Sequence, residues 1–198
     1  MKLRLGILAS HGGSNAQAII DACRDGRIDA EVRVLISNNS AALAVERART
    51  AGIPTRHLSS ATHPDESALD SAIASALVEH EVTLVALAGY MKKLGPRTLE
   101  RFRGRILNVH PALLPKFGGP GLFGMNVHAA VIAAGEKKSG ATIHLVDENY
   151  DTGPILAQRE VPVLPTDDAA ALAARVLEAE HALYVETLAR IERGEIRL

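Results

Sequence analysis

The sequence has little of what several common classes of protein require. It contains one cysteine, Cys23, so no disulfide can form within the chain, which favours a reducing compartment. The formal net charge of −1 gives no basic footprint for nucleic acid or for an anionic membrane. No apolar run approaches the roughly 18 residues that a membrane span needs. The histidines show no metal-ligand spacing. We therefore expect no metal, no nucleic acid and no membrane among its partners.

The N-terminus resembles a secretory leader only superficially. The apolar run from Met1 to Ala9 is short, and a polar, glycine-rich stretch follows it with no sign of a cleavage site. We therefore predict a cytoplasmic protein. Apolar residues make up 47% of the chain and charged residues 23%, which are ordinary values for a globular protein. Because no repeat, linker or low-complexity stretch interrupts residues 1–198, we expect one domain.

Apolar segments and amphipathic segments alternate over the first 110 residues. This alternation predicts an α/β fold with a mostly parallel, Rossmann-like twisted sheet and helices on both of its faces. Two further strands are expected as antiparallel additions, followed by a long C-terminal helix. Strands are predicted over residues 3–9, 32–37, 54–58, 83–88, 106–110, 141–146 and 155–163. Helices are predicted from Ser14 or Asn15 as the cap to Gly26, over 41–50, 65–80, 127–134 and 168–192, and from Pro96.

Ligands of such sheets bind outside the carboxyl ends of the strands, so the segments after residues 9, 89 and 110 should converge on one crevice. The first of these segments contains Gly12, Gly13, Ser14 and Asn15. Glycines let the backbone approach a ligand, and a helix N-terminus offers free N–H groups to a phosphate. A tight turn that only caps the helix is an equal alternative.

The segment from Asn108 to Pro111 is a candidate chemical centre. Residues two apart on a strand point to one face, so Asn108 and His110 should project together while Val109 points away. Pro111 favours an extended His110. An amide beside an imidazole suits a developing oxyanion, because both can donate hydrogen bonds. A hydrogen-bonded structural histidine is the alternative.

An acidic loop follows over residues 147–151. Asp151, set just before Thr-Gly-Pro, is the acid that we expect to act, whereas Asp147 and Glu148 fit a solvated turn. A carboxylate close to His110 would favour the imidazolium and raise the pKa of that histidine.

Two further polar residues lie in apolar surroundings. Glu180 is flanked by apolar residues on the last predicted helix, so it either lies beside a site or reaches past them to water. His144, on a predicted strand, is expected to be structural or supporting.

Together these segments resemble the glycinamide ribonucleotide formyltransferase family. The resemblance covers nearly the whole chain in the right order. Its matching stretches are residues 13–15 with 17–19, 37–38, 87–91, 107–115, 140–144, 151–156 and 180–181.

The resemblance implies that a formyl group passes from the co-substrate 10-formyltetrahydrofolate to the amine of glycinamide ribonucleotide in purine biosynthesis, in a monomer or homodimer. The implied catalytic residues are Asn108, His110 and Asp151. The implied ribonucleotide-binding residues are Gly13, Ser14, Asn15 and Glu180. The implied folate-binding residues are Met91, Lys92, Lys93, Leu94, Asn108, Asp147, Glu148, Asn149, Tyr150 and Asp151. In the implied mechanism the amine attacks the formyl carbon directly, Asn108 and protonated His110 stabilise the oxyanion, and Asp151 keeps His110 protonated.

The sequence departs from the family pattern at several positions. His11 replaces the first glycine of the turn, and Ala112 replaces a usual serine. Glu66 stands where a folate-contacting arginine is common, and Lys92 replaces another arginine. The glycine-rich loop over 116–126 is either a mobile lid or flexible chain without a function.

Other readings share the formyl chemistry or only the fold. Formyltetrahydrofolate hydrolases place a regulatory domain before a similar core, and methionyl-tRNA formyltransferases add a C-terminal domain and need a basic surface; neither pattern is expected here. Sugar-nucleotide formyltransferases and a ligand-binding domain without turnover are the remaining alternatives.

Overall fold

One mixed sheet forms the centre of the molecule. The computed structural model describes residues 2–198; Met1, with which the apolar N-terminal run begins, lies outside them. Within these residues the strand order is β3-β2-β1-β4-β5-β6-β7. The strands are β1 (Leu3–Leu8), β2 (Ala30–Ser37), β3 (Thr55–His57), β4 (Leu84–Leu87), β5 (Ile106–His110), β6 (Lys138–Leu145) and β7 (Ile155–Pro162). The first five pair in parallel, and β6 and β7 are antiparallel. The predicted sheet is confirmed.

The helices fall close to their predicted segments. They are α1 (Ser14–Arg24), α2 (Leu43–Thr50), α3 (Glu66–Glu79), α4 (Pro96–Arg101), α5 (Met125–Ala133) and α6 (Ala169–Glu192). The predicted cap of α1 is wrong. Gly13 occupies the N-cap position at φ 67°, with no side-chain cap bond, and a Cβ there would lie 2.5 Å from the Cβ of Ala44. Close packing against α2 therefore requires glycine at this position.

The two faces of the sheet pack against different helices. In β4, Leu84 and Ala86 belong to the same core as residues of α1, α2 and α6, while Val85 and Leu87 belong to a second core with residues of α3. This alternation of successive side chains between two cores is what a strand buried on both faces requires. The prediction of helices on both faces is confirmed.

The carboxyl ends of β1, β2 and β4 are tied together by Ser10. Its N–H donates to the Gly89 carbonyl at 3.0 Å, and its hydroxyl donates to Asn38 Oδ1 at 2.6 Å and accepts from the Met91 N–H at 2.8 Å. The expected crevice therefore opens at this edge of the sheet. In the part of the chain that the structure describes, no helix combines the length and apolarity that crossing a membrane demands.

Candidate active site

Asn108 is oriented by its partner across the β5–β6 ladder, His144. The two residues are paired in register, and Asn108 Nδ2 lies 3.1 Å from His144 Nε2. The other ring nitrogen, Nδ1, lies 2.9 Å from the Leu145 carbonyl oxygen, which can only accept a hydrogen bond. A neutral ring with its proton on Nδ1 satisfies both contacts. His144, predicted to be structural or supporting, thus fixes the Asn108 amide and leaves one of its N–H groups free.

Asp151 lies between two imidazoles. Its Oδ2 is 3.5 Å from His110 Nδ1, and its Oδ1 is 3.5 Å from His144 Nε2. The Gly119 N–H also donates to Oδ2 at 2.9 Å. Burial alone would raise the pKa of Asp151, but attraction to His144 when that ring is protonated, the Gly119 hydrogen bond and attraction to a protonated His110 outweigh it, so the pKa is lowered. Asp151 holds φ 58°, a conformation uncommon outside glycine and enriched at functional sites.

His110 is 3% exposed, and its Nε2 lies 2.7 Å from the Phe117 carbonyl oxygen. Burial lowers the pKa of His110 more than Asp151 and the Phe117 carbonyl raise it. The prediction that Asp151 keeps this histidine protonated is therefore wrong for the resting site. Both ring nitrogens of His110 face hydrogen-bond acceptors, which favours the protonated imidazolium. Burial of the ring away from water opposes that charge.

Thr142 fixes the chain after β5, and nothing in the sequence pattern predicted this role. Its hydroxyl donates to the Ala112 carbonyl at 2.6 Å and accepts from the Leu114 N–H at 3.1 Å. Gln158 Nε2 donates to the same hydroxyl at 2.9 Å. Because Thr142 also pairs in register with His110, this network sets where β5 ends.

A cavity of about 680 Å³ opens over this centre and is bordered by Asn108, His110 and Asp151. On its far side Asn15 Nδ2 donates to Glu180 Oε2 at 2.6 Å. Burial raises the pKa of Glu180 to about 7, although the Asn15 hydrogen bond acts in the opposite direction. Glu180 therefore lies beside the cavity, with Asn15 as its partner, rather than reaching to water.

The glycine turn before α1 lies next to Asn15. Gly13 and Ser14 do not border the cavity themselves. Arg47 of α2 reaches this turn, with Nε donating to the Gly12 carbonyl at 3.0 Å. Sequence reasoning did not single out this guanidinium. It adds a positive charge beside the helix N-terminus, where an anion is favoured.

A smaller pocket of about 80 Å³ adjoins the large cavity and shares Tyr90, Lys92, Asn108, Tyr150 and Asp151 with it. The residues predicted for folate that border it are Lys92, Lys93, Leu94, Asn108, Asp147, Asn149, Tyr150 and Asp151. Met91 borders only the large cavity, and Glu148 is exposed and borders neither. Lys93 Nζ lies 5.7 Å from the Tyr150 ring centroid.

The positions that depart from the family pattern lie around this site rather than in it. Glu66 is exposed in the first turn of α3 and borders neither pocket, and His11 is also exposed. The glycine-rich loop forms one wall of the large cavity from Gly119 to Met125. Across residues 2–198, no group of three or more His, Cys, Asp or Glu side chains is placed to hold a metal ion.

Comparison with known proteins gives the class first. The family model described as formyl transferase matches residues 3–188, and the chain belongs to this family. Curated relatives carry a more specific name, phosphoribosylglycinamide formyltransferase. The cowpea (Vigna unguiculata) chloroplastic protein is 46% identical over 93% of this chain, and the Haemophilus influenzae protein is 38% identical over 98% of it. The chain spans 59% of the cowpea relative and 90% of the Haemophilus relative.

Solved structures agree with these names. The glycinamide ribonucleotide transformylase 1 of Symbiobacterium toebii matches all of this chain and 91% of its own, with 40% identity and a TM-score of 0.93. A formyltetrahydrofolate deformylase from Pseudomonas syringae matches with a TM-score of 0.89 at 23% identity, which shows a shared fold alone. The trifunctional purine biosynthetic protein of Drosophila melanogaster contains a region 42% identical to this chain, which spans 14% of that protein's length.

Proposed function

We propose that this chain transfers the formyl group of 10-formyltetrahydrofolate to the amine of 5'-phosphoribosylglycinamide, giving formylglycinamide ribonucleotide and tetrahydrofolate in IMP biosynthesis. The observation that carries this proposal is the meeting of two pockets at Asn108 and Asp151. Two substrates bound in adjoining pockets can exchange a one-carbon group only where the pockets meet. The names of the relatives supply the acceptor, phosphoribosylglycinamide, and the transferred formyl group. The folate donor is what the resemblance to the formyltransferase family implies.

The large cavity suits the ribonucleotide. Gly13 and Ser14 open α1, so a phosphate at this N-terminus would meet free N–H groups and the positive end of the helix dipole. Asn15 and Glu180 then face the next part of the molecule, the ribose and its amide. A carboxylate accepts hydrogen bonds from hydroxyl groups, which suits Glu180 to this position.

The smaller pocket suits the flat, polar-edged head of a folate. Leu87, Leu94 and Val146 supply apolar walls. Asp147 accepts hydrogen bonds from the Asn149 N–H and the Thr152 hydroxyl, each at 2.9 Å, and so braces the loop that closes one side. The rest of the folate is assigned to the wall of Met91, Lys92, Lys93 and Tyr150, with Glu148 at its exposed rim.

The mechanism follows from the contacts of Asn108 and His110. The substrate amine attacks the formyl carbon, and the carbonyl electrons move onto oxygen. The free N–H of Asn108 donates to this oxyanion, and His110 donates from Nε2 once that atom leaves the Phe117 carbonyl. The oxygen electrons then re-form the carbonyl, and the bond between the formyl carbon and the folate nitrogen breaks, with its electron pair leaving on that nitrogen. The attacking nitrogen loses one proton and the departing folate nitrogen gains one, so no net proton is released. Asp151 and His110 relay this proton.

The low pKa of His110 is compatible with this role. Burial keeps the ring neutral at rest, whereas a negative oxygen formed within hydrogen-bond distance favours the imidazolium. The charge of Asp151, 3.5 Å from Nδ1, favours it further. His110 therefore gains its proton when charge develops and gives it to the leaving nitrogen.

We assign the enzyme to the cytoplasm as a monomer or homodimer formed of one domain, acting without a metal ion and without nucleic acid. The single cysteine supports a reducing compartment. The plant relatives are named chloroplastic, so the compartment can differ between members of the family.

The direct test is a comparison of amine acceptors. The protein is mixed with 10-formyltetrahydrofolate, and the change in folate absorbance is followed with glycinamide ribonucleotide, an aminated sugar nucleotide, methionyl-tRNA or no acceptor. We expect rapid turnover with glycinamide ribonucleotide alone. Equal turnover without an acceptor would identify a hydrolase, and turnover with none of them would contradict the proposal.

A further inference from the structure

A third histidine borders the large cavity and has no part in the chemistry above. His128 lies near the start of α5, is 4% exposed, and borders the cavity together with Asn15 and Glu180. Its Nδ1 atom is enclosed and has no hydrogen-bond partner among residues 2–198. An apolar side chain in this position would avoid burying an unpaired polar atom, so packing alone does not account for the imidazole.

The protonation state of His128 follows from its surroundings. Burial lowers the pKa of His128, and repulsion from His110, whenever that ring is protonated, lowers it further, so the His128 ring is neutral near pH 7. A neutral ring carries one proton. The enclosed Nδ1 offers that proton no acceptor, so the proton belongs on Nε2. The ring therefore presents a donor, not a cation, to a molecule in the cavity.

The position of His128 favours the ribonucleotide, although Met91, Lys92 and Tyr150 of the wall assigned to folate also border the large cavity. His128 borders the cavity with Asn15 and Glu180 and is absent from the border of the smaller pocket that contains Lys93 and Leu94. His110 borders the same cavity. Between its ribose and its reacting amine, the ribonucleotide carries one strong acceptor, the carbonyl oxygen of the glycinamide.

We infer that His128 recognises the amide of the amine substrate by donating a hydrogen bond from Nε2 to the glycinamide carbonyl oxygen. This inference rests on the proposed function and adds a specificity contact to it. It gives the enzyme a means of distinguishing an amide-bearing acceptor from other amines that reach His110.

Three substitutions at one position test this contact. The side-chain amide of Gln can reach the place of Nε2, whereas that of Asn is too short, and Leu has no donor. We expect His128→Leu and His128→Asn to raise KM for glycinamide ribonucleotide by about 3- to 10-fold, the size of one uncharged hydrogen bond. His128→Gln should stay within about twofold of the wild type. Neither kcat nor the KM for the folate should change. The hydrogen bond from His128 is equally strong in the bound substrate and in the transition state, so its loss weakens binding of the ribonucleotide only.

His80→Leu is the matched control. His80 is also a partly buried histidine whose Nε2 has no partner in the described chain, but it borders neither pocket. The His80→Leu substitution should leave KM for the ribonucleotide and KM for the folate unchanged. If His128→Leu fails to fold, the Gln and Asn variants decide alone. Equal KM values for the ribonucleotide in all three His128 variants would overturn the inference. A rise in KM for the folate, in place of the ribonucleotide, would also overturn it. In both cases normal turnover of the wild type would leave the proposed function standing. A wild type without turnover would remove both.

Discussion

Asp151 lies within 3.5 Å of both His110 and His144, and its contacts couple the two strands that carry them. It also anchors the glycine-rich loop through the Gly119 N–H. One carboxylate thus contacts the two histidines beside the proposed oxyanion site and holds the loop that borders it. A substitution that removes the charge of Asp151 but keeps an oxygen for the Gly119 N–H separates the electrostatic role from the role in holding the loop.

Asp151→Asn should lower kcat by about 10²- to 10⁴-fold, the usual contribution of a positioned acid–base group. The amide keeps an oxygen that can accept from the Gly119 N–H, so folding should be nearly unaffected. Steady-state rates between pH 6 and pH 9, together with a thermal melt, measure both effects. A variant with normal turnover across this range would show that the carboxylate has no chemical role.

At the residue scale, the sequence predicted which residues belong to the site and which face of a strand they occupy. It did not predict how deeply they are buried or which residues they contact. The period of a strand placed Asn108 and His110 on one side, and both border the cavity. The direction of the His110 pKa depends on how deeply the ring is buried, which a local pattern does not contain. The same holds for the hydrogen bond between Asn15 and Glu180, which joins residues 165 positions apart.

Among the elements, α4 is capped by a side chain from another helix. Asp70 of α3 accepts from the Arg97 N–H at 2.7 Å and from the Thr98 N–H at 3.1 Å. The Thr98 hydroxyl also donates to it at 2.6 Å. A Cβ at Gly95 would lie 2.4 Å from Asp70 Cγ, so the N-cap must be glycine for the carboxylate to approach. The sequence predicted α4 from Pro96, but a cap from a neighbouring helix leaves no local signature.

Asp70→Ala should lower the free energy of unfolding by about 2–4 kcal/mol, because it leaves buried N–H groups without an acceptor. Asp65→Ala is the control, since Asp65 is an exposed cap of α3 that accepts a single bond from the Ala68 N–H at 2.7 Å. Loss of the Asp65 cap should lower the free energy of unfolding by about 1 kcal/mol. Urea denaturation of both variants measures the difference, and equal losses would contradict the capping role of Asp70.

The loop over residues 116–126 contacts His110 and Asp151 near its start, through the Phe117 carbonyl and the Gly119 N–H. If it is a lid, the two substrates together should slow its cleavage by trypsin after Lys116 severalfold. The rate at which the cut fragment forms, with and without both substrates, measures this. An unchanged rate would favour flexible chain without a function.

On the scale of the whole molecule, burial of the Glu180 carboxylate beside the cavity lowers the free energy of unfolding at neutral pH. Glu180 is a carboxylate of α6 that is 8% exposed and pairs only with the Asn15 amide among the described residues. Its pKa rises from 4.5 to about 7, which corresponds to at most roughly 3 kcal/mol, since one unit equals about 1.4 kcal/mol. Because the folded-state pKa is raised, the contribution of this carboxyl group to stability is fully present below pH 4.5 and is lost as the pH rises to about 7.

Glu180→Gln should therefore be more stable than the wild type at pH 8 and differ little near pH 4.5, while it binds the ribonucleotide more weakly. Urea denaturation at several pH values measures the first effect, and KM measures the second. The exposed Glu178→Gln on the same helix should show neither. A parallel pH dependence of the wild type and Glu180→Gln would show that this carboxylate is not strained by burial.

The central claim is that the junction at Asn108, His110 and Asp151 passes a formyl group directly from folate to amine. Incubation with 10-formyltetrahydrofolate carrying a ¹³C-labelled formyl group, followed by NMR, tests it most directly. We expect the label to leave the folate nitrogen and appear as the formamide carbon of formylglycinamide ribonucleotide, at a rate that falls by orders of magnitude in His110→Asn. Label that appears in formate instead, or that stays on the folate in the wild type, would contradict the account.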